Sequence, residues 1–264
     1  MNEPLDNLRP CPLCGAFDRQ VLFQRDQWHV VECARCQMVF IGDKPLAYDA
    51  QASEHDWVAE YLKEVSRRKT NRPILMFFSR LTRPLRRDAM ARQLAHTLHW
   101  KREGKLLDLG CGDGRFLALA VSHFDVMGVE LSPSAAEAAK ARIPGRTILV
   151  SPVTEAVLPE SAFDVVTQFG YIEHEWQPVA GLQVAYRALK PGGILVLKTP
   201  NFASWNRSFM GQDWCGIHLP SHCNYFTPAT LQQMLRQVGF QPLARPLLDR
   251  LPTSDTLWLA ARKP

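Results

Sequence analysis

Residues 105–117, KLLDLGCGDGRFL, constrain the fold of this 264-residue chain more than any other stretch. An apolar run that ends in an acid and continues as G-x-G-x-G describes a strand feeding a glycine loop. Leu106, Leu107 and Leu109 suit a buried parallel strand. Gly110, Gly112 and Gly114 remove Cβ atoms where the backbone must turn sharply and come close to a ligand. Residues 116–122 then read as a helix packing back on the sheet. A second strand over 125–129 ends at Glu130, 20 residues past Gly110, where an acid accepts hydrogen bonds from both hydroxyls of a ribose. The pattern describes an α/β sheet built around a nucleoside-like ligand.

The details of the loop decide between ligands. A dinucleotide fingerprint is G-x-G-x-x-G, with a helix N-terminus meeting a pyrophosphate. Here the third glycine position is Arg115, and an additional acid, Asp108, stands two residues before Gly110. An acidic lip repels a pyrophosphate and attracts a cation. S-adenosylmethionine (SAM) carries a sulfonium and an ammonium and no phosphate. At this point the chain resembles the class I SAM-dependent methyltransferases. LLDLGCGDGRFL is similar to their first motif and VMGVELSPSAAEAA to their second; ESAFDVVTQFGYIEHEWQP resembles the fourth strand and its loop, and ALKPGGILVLKTPN the Pro-Gly-Gly hairpin into the fifth. HLPSHCNYFTPATLQQMLRQVGF resembles the tail of a subgroup of small-molecule and sugar methyltransferases.

The resemblance covers residues 104–264. It implies a Rossmann-like sheet, mostly parallel with the last strand antiparallel, and a SAM site formed by Asp108, Gly110, Cys111, Gly112, Gly114, Glu130, Leu131 and Gln168. Ser151 departs from the family, which often has an acid there, near the adenine ring.

Cysteine spacing gives the second signal. Cys11, Cys14, Cys33 and Cys36 form C-x2-C-x18-C-x2-C, the spacing of a four-thiolate zinc site, and RQVLFQ and HVVEC between the pairs read as short strands of a zinc ribbon. About 40 residues cannot fold on a core of their own, so the metal supplies the missing stability. With all four positions taken by thiolates, the zinc is structural. Cys111, Cys215 and Cys223 remain and read as packing residues. His218, His222 and Cys223 also lie close together, but with no fourth ligand in sight the spacing does not make a second metal site.

Charge divides the chain in three. Residues 1–62 hold 5 Lys or Arg against 10 Asp or Glu, residues 63–102 hold 12 against 2, and residues 103–264 hold 14 against 14. The organisation expected is a zinc ribbon (1–45), a helical linker or lid (46–103) and the SAM domain (104–264). In the linker, Trp57, Val58, Tyr61, Leu62 and Val65 have helical spacing, as do Leu85, Met90, Leu94 and Leu98, with breaks at Pro73 and Pro84. No apolar run approaches a membrane span, and the N-terminus lacks the basic and apolar regions of a signal peptide, so a cytoplasmic location is expected.

Methyl transfer from a sulfonium is an in-line displacement that needs an aligned acceptor and, for a hydroxyl or amine, a base. Candidate bases lie in loops at the carboxyl ends of strands: His174 after the fourth, His218 and His222 after the fifth. Asn201, Trp205, Trp214 and Tyr225 add hydrogen-bonding and stacking groups, and Tyr48 or Tyr61 of the lid could reach the ligand. The leading reading is O-methylation of a small-molecule, glycan-linked or nucleotide-linked acceptor by a histidine base. An RNA or tRNA methyltransferase using the basic 63–102 segment is the alternative, and a non-catalytic SAM-binding scaffold the third.

Overall fold

The computed structural model describes residues 8–44, 89–244 and 252–264. The N-terminal unit is a meander of β1 (Arg19–Arg25), β2 (Trp28–Cys33) and β3 (Val39–Ile41), paired antiparallel. The first two strands fall on the alternating stretches read from the sequence. β3 continues the sheet in a way the sequence does not announce: it pairs antiparallel with β9 (Asn224–Tyr225), so the order is β1-β2-β3-β9. The ribbon and the loop that follows the fifth strand of the larger sheet are therefore one hydrogen-bonded structure.

That larger sheet contains β4 (Gly104–Leu109), β5 (Phe124–Glu130), β6 (Thr147–Val150), β7 (Phe163–Phe169), β8 (Leu189–Pro200), β10 (Gln241–Pro242) and β11 (Thr256–Arg262), in the order β10-β11-β8-β7-β4-β5-β6. Pairing is parallel from β6 through β8, and β11 lies antiparallel on β8. The expected mostly parallel sheet with an antiparallel last strand is what the chain forms.

Alternation along the strands sorts side chains into two layers. Leu106, Val165, Ile194 and Val196 face a core shared with α1 (Ala89–Trp100), α2 (Arg115–Ala120) and α3 (Pro133–Arg142). Leu107, Leu109, Val166, Leu195 and Leu197 face the opposite core, shared with α4 (Pro178–Ala188) and α6 (Pro228–Val238). Each such side chain, fully buried, contributes about 1.5–3 kcal/mol. Local signals fix the helix ends. Thr227 and Thr230 cap α6 reciprocally with Pro228 in its first turn, and Gly239, at φ 105°, stops it in a conformation that favours glycine.

Residues 45–88 lie outside the described residues, and with them Tyr48, Tyr61, Pro73, Pro84 and Leu85. Of the expected linker, α1 is helical, and its Met90, Leu94 and Leu98 pack on the sheet as their spacing predicts.

The chain runs outward from β4 to β5 and β6, then returns to β7 on the other side of β4. This reversal opens a crevice at the carboxyl ends of the strands, where open α/β sheets place their ligands.

Candidate active site

The glycine loop lies between β4 and α2. Gly110, Gly112 and Gly114 have φ of 78°, 55° and 73°, the left-handed region that a side chain disfavours. At Gly114 space is also lacking, because a Cβ would lie 2.9 Å from the Cβ of Ala139 in α3. Gly128 of β5 serves the same loop from beneath: a Cβ there would meet the Cys111 sulfur at 2.7 Å. The loop is thus pressed against β5, and Gly110 and Cys111 both donate their N–H to the carbonyl of Val129.

Beside the loop is a cavity of about 340 Å³ lined by Asp108, Gly110, Cys111, Gly112, Glu130 and Leu131, among others. Glu130 is 5% exposed. Its Oε2 accepts from the N–H of Gly112 at 2.7 Å and its Oε1 from the N–H of Ser132 at 2.9 Å. Two backbone amides fix the carboxylate, and each oxygen keeps a lone pair for a ribose hydroxyl. Asp108, also buried, accepts from the Thr167 hydroxyl at 2.6 Å. Burial pushes its pKa up to about 7 against the effect of that hydrogen bond, and the Glu130 charge adds to the rise. Arg115 also lines the cavity, but Asp113 pairs with it at 2.9 Å, and Arg142 reaches the same Asp113 at 3.2 Å.

The residues present fit SAM. An acceptor-only carboxylate suits a ribose diol, and the acidic lining suits a sulfonium and an ammonium. Gln93 of α1, 4% exposed, adds a buried Oε1 with no hydrogen-bond partner among the described residues, an acceptor for an N–H of a ligand in the cavity it lines. A cation should bind best to ionised Asp108, which takes up a proton as pH falls through about 7. SAM affinity measured by calorimetry is accordingly expected to be about eightfold weaker at pH 6 than at pH 7.5, the ratio of ionised fractions for that pKa. An affinity that is flat across this range would contradict a carboxylate role for Asp108.

A second cavity, of about 550 Å³, adjoins the first. Gly170, His174 and Ser221 line both. The loop after β7 brings Glu173 and His174, β8 brings Lys198, and the segment between α5 (Trp205–Met210) and β9 brings Trp214, His218 and His222. The three histidines predicted from the sequence come together here: ring centroids are 4.6 Å apart for His174 and His222 and 4.8 Å for His218 and His222. His174 Nδ1 lies 2.8 Å from the carbonyl of Ser221, and His222 Nδ1 2.8 Å from that of Gly216. A carbonyl only accepts, so in each neutral ring Nδ1 carries the proton and Nε2 keeps the lone pair.

The structure also separates residues that the sequence grouped. Gln168 is fully buried, its Nε2 donates to the carbonyl of Gly181, and it is not among the described residues that line the cavity. Gly114 acts through packing, as above. Trp214 lines the second cavity and donates from Nε1 to Asp255, which also accepts from Ser204 and Asn206. Asn201 instead holds its own turn, bonding Ala203 and Ser254; Trp205 is 63% exposed, and Tyr225 is packed in β9. Glu173, Lys198 and Gln93 were not singled out by the sequence. The acid directly before His174 was the one available signal.

The four ribbon cysteines converge as their spacing predicts. Their sulfurs lie within 4.8 Å of one another, with Cys11 to Cys36 and Cys14 to Cys33 each 3.5 Å apart. Tetrahedral zinc with Zn–S bonds of ~2.3 Å separates its sulfurs by about 3.8 Å. The two knuckles repeat one geometry: Gly15 N–H to Cys11 carbonyl at 2.8 Å, Gln37 N–H to Cys33 carbonyl at 2.9 Å, with Gly15 and Gln37 both at positive φ. Burial raises the Cys11 and Cys36 thiols, whereas at Cys33 the amides of Cys36 and Arg35 outweigh burial and lower the pKa.

The ribbon also builds the second cavity. Arg25 and Asp26 line it. Arg9, 6% exposed, donates to the carbonyls of Cys223 and Trp176 and to Oδ1 of Asn224, and stacks on Trp176 with its guanidinium 4.8 Å from the ring centroid.

This sheet order, with a positive-φ glycine loop and an acid ending the next strand, defines a class I SAM-dependent methyltransferase domain. A family model described as a methyltransferase domain matches residues 80–245, and the chain belongs to that family. The ribbon lies outside the matched residues. A probable S-adenosylmethionine-dependent methyltransferase of Mycolicibacterium smegmatis is 28% identical over 157 residues, 59% of this chain and 58% of the relative. A ubiquinone biosynthesis O-methyltransferase of Cereibacter sphaeroides is 30% identical over 169 residues, 60% of this chain and 68% of the relative. This chain thus spans little more than half of the first and about two thirds of the second. Among solved structures, a SAM-dependent methyltransferase from Archaeoglobus fulgidus superposes with a TM-score of 0.54 at 20% identity, over 72% of this chain and all of that one. One from Thermotoga maritima, described as a possible histamine N-methyltransferase, gives 0.52 at 22%, over 67% and 90%. At these identities the likeness speaks for the fold.

Proposed function

We propose that the protein transfers the methyl group of SAM to a hydroxyl oxygen of a small-molecule or glycan-linked acceptor held in the second cavity. The observation that carries this reading is the junction of the two cavities at Gly170, His174 and Ser221. In-line displacement requires the acceptor on the far side of the methyl carbon from sulfur, and a junction supplies such a line. SAM, when bound, supplies the electrophilic methyl. The chain's own work is to hold the ribose on Glu130, to favour the cation with Asp108, and to take the acceptor's proton into the cluster of His174, His218 and His222. An imidazole is a base matched to neutral pH, and such a base contributes on the order of 10²–10⁴-fold.

The relative from Cereibacter sphaeroides, named an O-methyltransferase, supports oxygen as the acceptor atom. We place structural zinc on Cys11, Cys14, Cys33 and Cys36, where it shapes the acceptor wall through the ribbon. A reducing, cytoplasmic setting keeps these thiols free for the metal. Among the described residues, no helix is long and apolar enough to cross a membrane.

The test is incubation with labelled SAM and separated extracts of small molecules and RNA. Label is expected in the small-molecule pool. Label in RNA alone would overturn the acceptor class.

A further inference from the structure

We propose that Glu173, His174 and His222 form a second metal site, for a divalent transition ion open to the acceptor cavity. A ligand atom from each of the three lies within 4.8 Å of the others, a cluster apart from the ribbon cysteines. Glu173 is 4% exposed, and its Oε2 has no hydrogen-bond partner among the described residues although it lies against a polar cavity. A buried carboxylate oxygen left this way is costly unless a cation or donor arrives. Lys198 lines the same cavity and its charge acts on Glu173, but among the described residues the two make no contact ion pair. The histidines meet the other requirement of a ligand set. Each sets Nδ1 against a backbone carbonyl, of Ser221 and Gly216, which orients the ring as second-neighbour groups orient a metal-bound histidine.

Two imidazoles and one carboxylate suit zinc, iron, cobalt or manganese better than calcium or magnesium, and three protein ligands leave coordination positions open for chemistry. The spacing of His218, His222 and Cys223 does not disclose this site; the structure supplies Glu173 and His174 from a different loop.

The chemical consequence rests on the methyltransferase reading above, although metal binding does not. An ion here lowers the pKa of an acceptor hydroxyl brought against it. His174 and His222 then serve as ligands, and His218, beyond the three, is the base. The hydroxyl proton passes to the His218 imidazole, the oxygen pair forms the new bond to carbon, and the electrons of the breaking S–CH3 bond stay on sulfur, giving S-adenosylhomocysteine.

The experiment is a Co²⁺ titration of full-length protein dialysed to one zinc per chain, followed by calorimetry and by visible absorption. One added equivalent is expected, with d–d bands free of the thiolate charge transfer that cobalt in the ribbon would show. Glu173→Gln and His222→Ala should each weaken it at least about tenfold while leaving SAM affinity within about threefold; the second variant guards against a folding defect in the first. No added equivalent in the native protein, or one that both variants keep unchanged, would overturn the site. Failure of the metal site with methyl transfer intact would leave the proposed function standing. Failure of SAM binding with cobalt still bound would do the reverse.

Discussion

Replacing Glu130 by glutamine is expected to weaken SAM binding by on the order of 10²–10³-fold, measured by calorimetry, while the protein stays folded. The carboxylate accepts from the amides of Gly112 and Ser132 at once. An amide side chain has one oxygen and one NH₂, so one backbone N–H would face another N–H donor and the loop would open there. The ribose loses an acceptor for one hydroxyl, and the cavity loses a charge that favours the sulfonium. A hydrogen bond to a charged group contributes about 1.5–3 kcal/mol, and losing it together with loop geometry gives about 3–4 kcal/mol. An unchanged affinity would remove the ribose role from Glu130.

Removing the ribbon metal is expected to separate cofactor binding from catalysis. Replacing Cys33 by serine, or chelating the zinc proposed above, should disorder the ribbon, because so small a unit would draw much of its stability from a bound ion. Through β3 and β9 the loss reaches the segment that carries His218 and His222, and through Arg9 it frees the carbonyls of Cys223 and Trp176. Label transfer to the small-molecule pool should fall by roughly 100-fold or more, within the range that misplaced acid–base groups cost. SAM affinity should change less than about threefold, because no described ribbon residue lines the first cavity. An Arg9→Ala variant, with zinc retained, should show the same split more weakly. Equal loss of SAM binding would mean the ribbon supports the whole domain rather than the acceptor side.

Much of the fold was legible because its signals are local. A strand that ends in an acid and a run of glycines states a backbone requirement within a dozen residues, and the chain meets it at Gly110, Gly112 and Gly114. The C-x2-C pairs are likewise local, and α6 carries its capping residues and its terminal glycine in its own sequence. Long-range pairing was not legible. Nothing in VFI or in NY indicates that β3 and β9 are neighbours, since a strand of two or three residues has no period to read. Gln168 belongs to the SAM site that the family resemblance implies, yet side chains alternate between the faces of β7, and its Nε2 donates to Gly181. Glu173 escaped notice for the opposite reason. An acid in a loop is ordinarily solvated, and this one is buried only because the loop is closed over by Cys223 and Asn224, whose amides bond the Glu173 carbonyl.

The central claim is that the acidic glycine-loop cavity holds an adenosyl sulfonium. A crystal structure with S-adenosylhomocysteine tests it most directly. The account requires the nucleoside in the cavity, both ribose hydroxyls on the Glu130 carboxylate, and the sulfur pointing to the junction at His174. A ligand seated elsewhere, or a ribose turned away from Glu130, would contradict it.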